Sequence, residues 1–385
     1  MRKIISKIYI LPILLLMFLG CSKNEPVDEL DDKYKIVLNM YQNDSETKAE
    51  FETGLKWCFS FLGAQLKNGS WKKSTKWIDN QRIEIDTKEL GFNNSALKQL
   101  SILITIYKNS EEYRVTKGID AGRFVVSTFN NPNHYYKIVN MPKQLQAFET
   151  KYDFLQKKAA IVESAVAFGE RRISLPNPNN NINSIGYLAE ELTGSLADST
   201  HIVKEFEVMD IMENGQLRFG IYNTNNQLIN GADPNLSSAG KPAKCLWCHE
   251  VNIQKGFAAQ TAINGYFSPN QFDSIIIENQ LILNEYRSIL NTEIDFLDNL
   301  QHIELEKLYI RFMEPSAKRL AAEWNMTEGE VSLKLSGFTT HTNNEFNSLG
   351  DLYNRFEIEN YAPYQVIPST TSARETVNYE PNLLP

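Results

Sequence analysis

Apolar residues recur at helical spacing in several segments, and the clearest of these follows Ser268. Ser268, Pro269 and Gln271 have the arrangement of an N-cap, a first helical residue and a capping box, and apolar positions continue from Phe272 to Leu297. The same spacing predicts helices at 45–66, 95–116, 303–324 with a bend near Pro315, from 327 onward, and 344–356. The C-terminal third is therefore predicted to be mainly helical.

Strand-like segments occupy the front and middle of the chain. Residues 122–129 and 134–139 flank a turn-forming Asn-Asn-Pro-Asn segment and are predicted to form a hairpin. Residues 161–174, 202–212 and 216–222 are predicted as further strands, the last two joined at Asn214-Gly215. The predicted fold class is an α+β N-terminal and middle region followed by a mainly α-helical C-terminal region. The expected units are 34–157 (α+β), 158–240 (β-rich) and 241–385 (helical).

The first residues form an export signal rather than a folded element. Arg2, Lys3 and Lys7 precede an apolar run that ends at Leu19, which is typical of a signal peptide over residues 1–20. The run is too short for a stable membrane span. Residues 21–33 carry five acidic side chains and few large apolar ones, so we expect an extended, solvated tether.

Composition narrows the possible partners and chemistry. A net charge of −8 over 385 residues argues against nucleic acid as the main partner. Four cysteines are too few for a disulfide-stapled scaffold of this length. The chain lacks a phosphate-cradling glycine loop and a nucleophile elbow. The sequence therefore gives no pattern typical of a nucleotide-binding or hydrolytic enzyme.

The strongest chemical signal is the pentapeptide Cys245-Leu246-Trp247-Cys248-His249. On a helix, positions i, i+3 and i+4 share one face, so both thiols and the imidazole can address one ligand. The pentapeptide resembles the haem-attachment motif of c-type cytochromes. This resemblance implies one covalent haem c, with thioethers from Cys245 and Cys248 and with His249 as the proximal iron ligand.

A second axial ligand is not identified by the motif. Met313, which lies 64 residues after His249, and His341, which lies in a polar loop, are the leading candidates among the residues that follow the motif. Other methionines and histidines that remain open as ligands are His302, Met326, Met209, Met212 and His134. A methionine would favour electron transfer, whereas an open position would permit ligand binding.

The segment Phe18-Leu19-Gly20-Cys21 resembles the lipobox of bacterial lipoproteins. The resemblance implies that Cys21 is acylated and becomes the first residue of a membrane-anchored, extracytoplasmic protein, in the outer membrane or facing the periplasm. Covalent haem attachment in the cytochrome family also takes place outside the cytoplasm, so the two resemblances agree.

The sequence therefore predicts a lipid-anchored, single-haem protein that exchanges electrons with a redox partner protein, rather than a turnover enzyme. Lys241, Lys244 and Lys255 flank the motif and would form a basic ring for an acidic partner. Two alternatives remain open. In one, Cys245, Cys248 and His249, with or without Cys58, bind zinc or form a redox disulfide. In the other, the motif is incidental in a surface binding or assembly module.

Overall fold

The structure is a computed structural model that describes residues 32–41, 46–177, 181–254, 260–298, 301–373 and 380–385. The predicted signal peptide, Cys21, and nearly all of the predicted tether lie outside these residues. The described part contains two β-sheets and thirteen α-helices, which confirms a mixed α/β content. No helix within it is both long enough and apolar enough to cross a membrane.

The first sheet has the strand order β2-β3-β1-β4. Its strands are β1 (Lys35–Asn39), β2 (Thr75–Trp77), β3 (Arg82–Asp86) and β4 (Ile119–Asp120). Strand β1 is antiparallel to β3 and parallel to β4. Alternate residues of β1 and β3 are fully buried, so one face of this sheet packs on the main core.

Seven helices occur in the described part of the chain before the second sheet. They are α1 (Lys48–Phe61), α2 (Ser70–Ser74), α3 (Asn94–Asn109), α4 (Glu111–Thr116), α5 (Ala121–Thr128), α6 (Pro132–Ile138) and α7 (Leu145–Glu149). The helix predicted at 45–66 is confirmed as α1, which begins at a capping box between Thr47 and Glu50. The helix predicted at 95–116 is divided in two, because Ser110 ends α3 and caps α4.

The hairpin predicted at 122–139 is wrong, because both segments are helical. Asp120 accepts a hydrogen bond from the amide of Gly122 and caps α5, and Asn131 caps α6 with Pro132 at its first position. Every residue of α5 is buried. A helix that is buried on all sides loses its amphipathic period, and its Val and Phe content then imitates a buried strand.

The second sheet is an antiparallel meander in the order β5-β6-β7-β8-β9. Its strands are β5 (Ala159–Ile161), β6 (Arg171–Ser174), β7 (Gly186–Thr193), β8 (Ile202–Ile211) and β9 (Leu217–Asn223). The strands predicted at 202–212 and 216–222 are confirmed, and Gly215 adopts a positive φ of 80° in the turn between them. The single strand predicted at 161–174 is wrong, because that range holds only the last residue of β5, a loop and β6.

The remaining elements are helical. They are α8 (Pro242–His249), α9 (Pro269–Ser288), α10 (His302–Met313), α11 (Ala317–Trp324), α12 (Glu328–Lys334) and α13 (Arg355–Ile358). The predicted capping boxes of α9 and α12 are both present. The segment 303–324 forms two helices, because α10 ends before Pro315 and Ser316 caps α11. The helix predicted at 344–356 is wrong; only the 3₁₀ turn Asn347–Leu349 and the start of α13 occur there.

The C-terminal helices pack into the same core as the front of the chain. Residues Lys33–Pro385 form one compact unit. Its main core takes side chains from each of the three predicted regions, for example Leu38, Met209 and Leu308. Helix α10 lies against α1, where Gly54 faces the backbone of Glu304. Helix α8, which carries the cysteine motif, lies between the second sheet and the main core.

Candidate cofactor cavity

Helix α8 places both thiols and the imidazole of the motif on one side. Ala243 and Leu246 are 1% exposed and fix the opposite side of α8 in the core. Trp247, between the cysteines, also points into the core, with its ring centroid 4.4 Å from that of Tyr309. With these three side chains packed on the core, the face that carries Cys245, Cys248 and His249 is left facing the second sheet.

These three side chains line a single cavity with about 1170 Å³ of empty space, part of it open to solvent. Helix α9 contributes Phe272 and Ile276 to another wall. The exposed areas around the motif are mostly apolar, as in ligand-binding clefts in general.

The floor of the cavity is one face of the second sheet. The floor residues used below are Ile173, Tyr187, Ala189, Met209 and Phe219. The strand register explains why they share a face, because Ile173 pairs with Ala189, and Met209 pairs with both Tyr187 and Phe219. Four neighbouring strands therefore present apolar side chains to α8, on a face that also carries Arg171 and Glu207.

His249 is oriented by the backbone that follows its helix. Its Nδ1 lies 3.1 Å from the carbonyl oxygen of Asn252. A carbonyl only accepts, so Nδ1 carries the proton and Nε2 carries the lone pair. Burial lowers the pKa of His249 to about 4, so the ring is neutral at pH 7. The ring also packs on Phe219, with centroids 4.9 Å apart. The neutral ring with its lone pair on Nε2 is the form in which histidine binds a metal through that nitrogen.

The two cysteines are free thiols with different exposure. Cys245 is half-buried, and Cys248 is exposed at the cavity mouth. Burial raises the pKa of both thiols. Cysteines of thiol–disulfide exchange enzymes have lowered pKa values instead, because the thiolate is the reactive form. The environment of this pair is therefore unlike that of a redox disulfide.

Two cations border the apolar floor. The Arg171 guanidinium forms an ion pair with Glu191 and a second one, at 2.6 Å, with Glu207. Lys244 precedes the first cysteine and donates to the carbonyl of Ser238. Both cations line the cavity. The cavity thus combines a largely apolar interior with the ion pair of Arg171 and Glu207 and with the ammonium of Lys244.

The two leading candidates for a distal ligand lie elsewhere. Met313 is 2% exposed in the main core at the end of α10, and it is not a lining residue. His341 is exposed, and its Nε2 lies 3.2 Å from a carboxylate oxygen of Glu314. The structure therefore brings neither side chain to the cavity that contains Cys245, Cys248 and His249.

Of the five other candidate ligands, four lie outside the cavity lining and one belongs to it. His302 packs edge-on against the ring of Trp57. Both nitrogens of His134 are used, since Nδ1 contacts the carbonyl of Ser127 and Nε2 accepts from the amide of Leu383. Met326 packs on the small core between α11 and α12, and Met212 lies outside the cavity beside Gly63. Met209 is the one candidate among them that lines the cavity.

The zinc alternative is left only in its form without Cys58. Cys58 is completely buried in α1 within the main core and does not line the cavity. In the described part of the chain, no three or more His, Cys, Asp or Glu side chains are grouped so as to hold a metal ion. Cys58 is therefore a core residue, and burial raises the pKa of its thiol to about 12.

The predicted basic ring around the motif is also wrong in one member. Lys241 is completely buried and pairs with Glu380 at 2.5 Å. Its ammonium also donates to the carbonyl of Thr371. Lys255 lies outside the described residues. Lys241 thus joins the C-terminal segment to the start of α8 instead of facing a partner.

Comparisons with protein-family models, with curated proteins and with solved structures found no match. The functional conclusion therefore depends on the residues of the cavity and their geometry.

Proposed function

We propose that this protein is a lipid-anchored, extracytoplasmic, single-haem protein of c-type cytochrome character, which exchanges electrons with a partner protein. The observation that supports this function best is the shared direction of Cys245, Cys248 and His249, which all line one largely apolar cavity. A haem-attachment motif on a surface loop, or with its side chains in separate environments, would give no such support.

The chain's own residues fit a covalent haem. Cys245 and Cys248 would hold it through thioethers, and Nε2 of His249 would bind the iron. The carbonyl of Asn252 fixes the tautomer of His249 and increases the basicity of Nε2, and Phe219 restrains the ring. The bound haem would supply one-electron exchange between ferric and ferrous iron.

The surroundings of the motif favour electron exchange. Ile173, Ala189, Phe272 and Ile276 provide an apolar lining that excludes water and therefore influences the reduction potential. Lys244 is the cation proposed to face the haem carboxylates, because Arg171 is already paired with Glu191 and Glu207. Cys248 is exposed, so the attachment edge of the haem would be within reach of a partner at the cavity mouth.

The membrane anchor is a separate part of this function and has a separate test. We expect wild-type protein to fractionate with membranes after export, and Cys21→Ser to be either retained with an uncleaved signal or released without acyl chains. Mass analysis of the N-terminal peptide distinguishes these forms. An unacylated N-terminus at another residue in the wild type would contradict the anchor without affecting the haem site.

The haem is tested by expression with a bacterial haem-attachment system. We expect a Soret band and a haem stain that survives denaturing electrophoresis. In Cys245→Ala/Cys248→Ala we expect no haem, or haem that is bound non-covalently and therefore gives no stain after denaturation. Cys58→Ala is the matched control, because it removes a buried cysteine far from the cavity lining and should retain the stain. Folded, exported wild-type protein without stain would contradict the function, and a zinc assay of that sample would test the alternative.

A further inference from the structure

Met209 occupies a distinctive place on the cavity floor. It lies on β8, is 8% exposed, and has its side chain on the same face as those of its cross-strand partners Tyr187 and Phe219. All three residues line the cavity with His249. The thioether is therefore presented to the cavity from a regular strand between two aromatic side chains.

Two other polar side chains of the floor, Tyr187 and Glu207, have protein partners. The hydroxyl of Tyr187 accepts a hydrogen bond of 2.7 Å from Asn279. Glu207 is paired with Arg171. Among the described residues that line the cavity, Met209 and His249 have the neutral side chains that serve most often as axial ligands of low-spin haem iron.

We propose that the sulfur of Met209 is the second axial ligand of the haem iron. This inference rests on the proposed haem function and assigns a ligand that precedes the motif in the chain, on the sheet, rather than one from the helices that follow it. Phe219 links the two ligands, because its ring contacts that of His249 and its residue is the strand partner of Met209. Both side chains therefore lie beside Phe219 in the lining of one cavity.

The surroundings of Met209 preorganise its sulfur. Methionine sulfur makes favourable contacts with aromatic rings, and two aromatic residues flank it here. The bond from Asn279 holds one of these rings in place. A ligand on a paired strand is positioned more rigidly than one on a loop. Methionine ligation raises the reduction potential and closes the iron to external ligands, as an electron carrier requires.

The test uses the haem-loaded full-length protein and begins with the wild type. We expect oxidised protein to have a low-spin spectrum with the weak near-infrared band of methionine bound to ferric haem. In Met209→Leu we expect complete loss of that band, a high-spin spectrum, a lower midpoint potential, and carbon monoxide binding to the reduced form. Met209→His should restore a low-spin spectrum at a potential below that of the wild type.

Met141→Leu is the matched control. Met141 is also buried, but it lies against Gly220 on the opposite face of β9. We expect this variant to keep the band and the potential of the wild type. Loss of the band in Met141→Leu as well would mean that the spectrum reports general loosening of the sheet, which would overturn the assignment.

Three other results would also overturn it. The wild type could carry a stained haem without the methionine band, or Met209→Leu could keep both band and potential; in either case the haem function stands and the ligand assignment fails. Wild-type protein without haem would remove the proposed function and the ligand together. Should Met209→Leu fail to retain haem, the wild-type band and the Met209→His spectrum decide the question.

Discussion

Two histidines show how hydrogen bonding distinguishes a proposed ligand from a structural residue. Both rings are neutral at pH 7, because burial lowers the pKa of His134 and of His249 to about 4. His134 uses both nitrogens, one towards the carbonyl of Ser127 and one towards the amide of Leu383. His249 uses Nδ1 towards Asn252 and lines the cavity. Burial alone therefore does not identify a ligand, whereas the direction of the second nitrogen does.

His134 should make the fold sensitive to acid. The unfolded ring binds a proton near pH 6.5, and the folded ring binds one only near pH 4. As the pH falls from 6.5 towards 4, the unfolded state takes up the proton first, so stability falls by up to about 1.4 kcal/mol per pH unit from this residue.

We expect His134→Gln to have a smaller loss of stability across that window than the wild type, whatever its stability at pH 7. Urea unfolding of both proteins at several pH values between 6.5 and 4 measures the difference in slope. Parallel curves would show that His134 is protonated in the folded state or does not titrate differently on unfolding.

At the scale of elements, the cavity arises where α8 and α9 cover the second sheet. Local signals predicted much of this arrangement, since the Ser268 capping box, the Asn214-Gly215 turn and β8 are all present. The period of two along β8 also places Glu205, Glu207 and Met209 on one face. The motif helix and the strand can thus be predicted separately from the sequence.

The docking of α8 on the second sheet could not be predicted from such local signals. Strand pairing between β7, β8 and β9 and the docking of α8 depend on contacts between distant residues, for which a single sequence has no local signal. Met209 consequently could not be ranked above Met313, whose position after the motif favoured it. The wrong prediction for α5 also results from tertiary packing, because complete burial removes the period that distinguishes a helix from a strand.

Close packing of α1 on α10 should make Gly54 intolerant of a side chain. A Cβ at Gly54 would lie 2.7 Å from the carbonyl oxygen of Glu304. We expect Gly54→Ala to lower the free energy of unfolding by about 1–3 kcal/mol, although alanine is the better helix former. Chemical denaturation of the purified protein measures this loss.

Gly329 provides the matched control, because it lies in α12 and a Cβ there would meet nothing within 4 Å. Gly329→Ala should be neutral or raise the free energy of unfolding by about 0.5 kcal/mol. A stabilising Gly54→Ala would contradict the close approach of α1 and α10.

At the scale of the whole molecule, a buried ionic network joins the front of the chain to its C-terminal helices. Arg123 on α5 pairs with Glu112 at 2.7 Å and with Glu359 at 2.6 Å. Glu323 on α11 forms ion pairs with Arg319 at 2.5 Å and with Arg355 at 2.7 Å. These side chains are almost completely buried, so each charge depends on its partners. The network and the common core make separate folding of the predicted regions unfavourable.

Glu323 is the centre of this network. Burial opposes its charge, but the guanidinium groups of Arg355 and Arg319 hold its pKa below the usual value. We expect Glu323→Gln to lower the free energy of unfolding by about 3–5 kcal/mol, because it leaves buried arginines without their carboxylate. Calorimetry should show one unfolding transition in the wild type and a lower midpoint in the variant.

Glu328→Gln is the comparison, since Glu328 is exposed at the start of α12 and should contribute less than about 1 kcal/mol. Equal losses in the two variants would contradict the account of the buried network. Two well-separated transitions in the wild type would contradict the common core.

The central claim is that Cys245 and Cys248 carry a covalent haem, and mass spectrometry of the mature protein tests it most directly. For protein exported from cells that have haem-attachment machinery, we expect the intact mass to include one haem. After digestion, the added mass should lie on the peptide that contains residues 245–249, with neither thiol open to alkylation. The same peptide with its unmodified mass and two alkylatable thiols would contradict the claim.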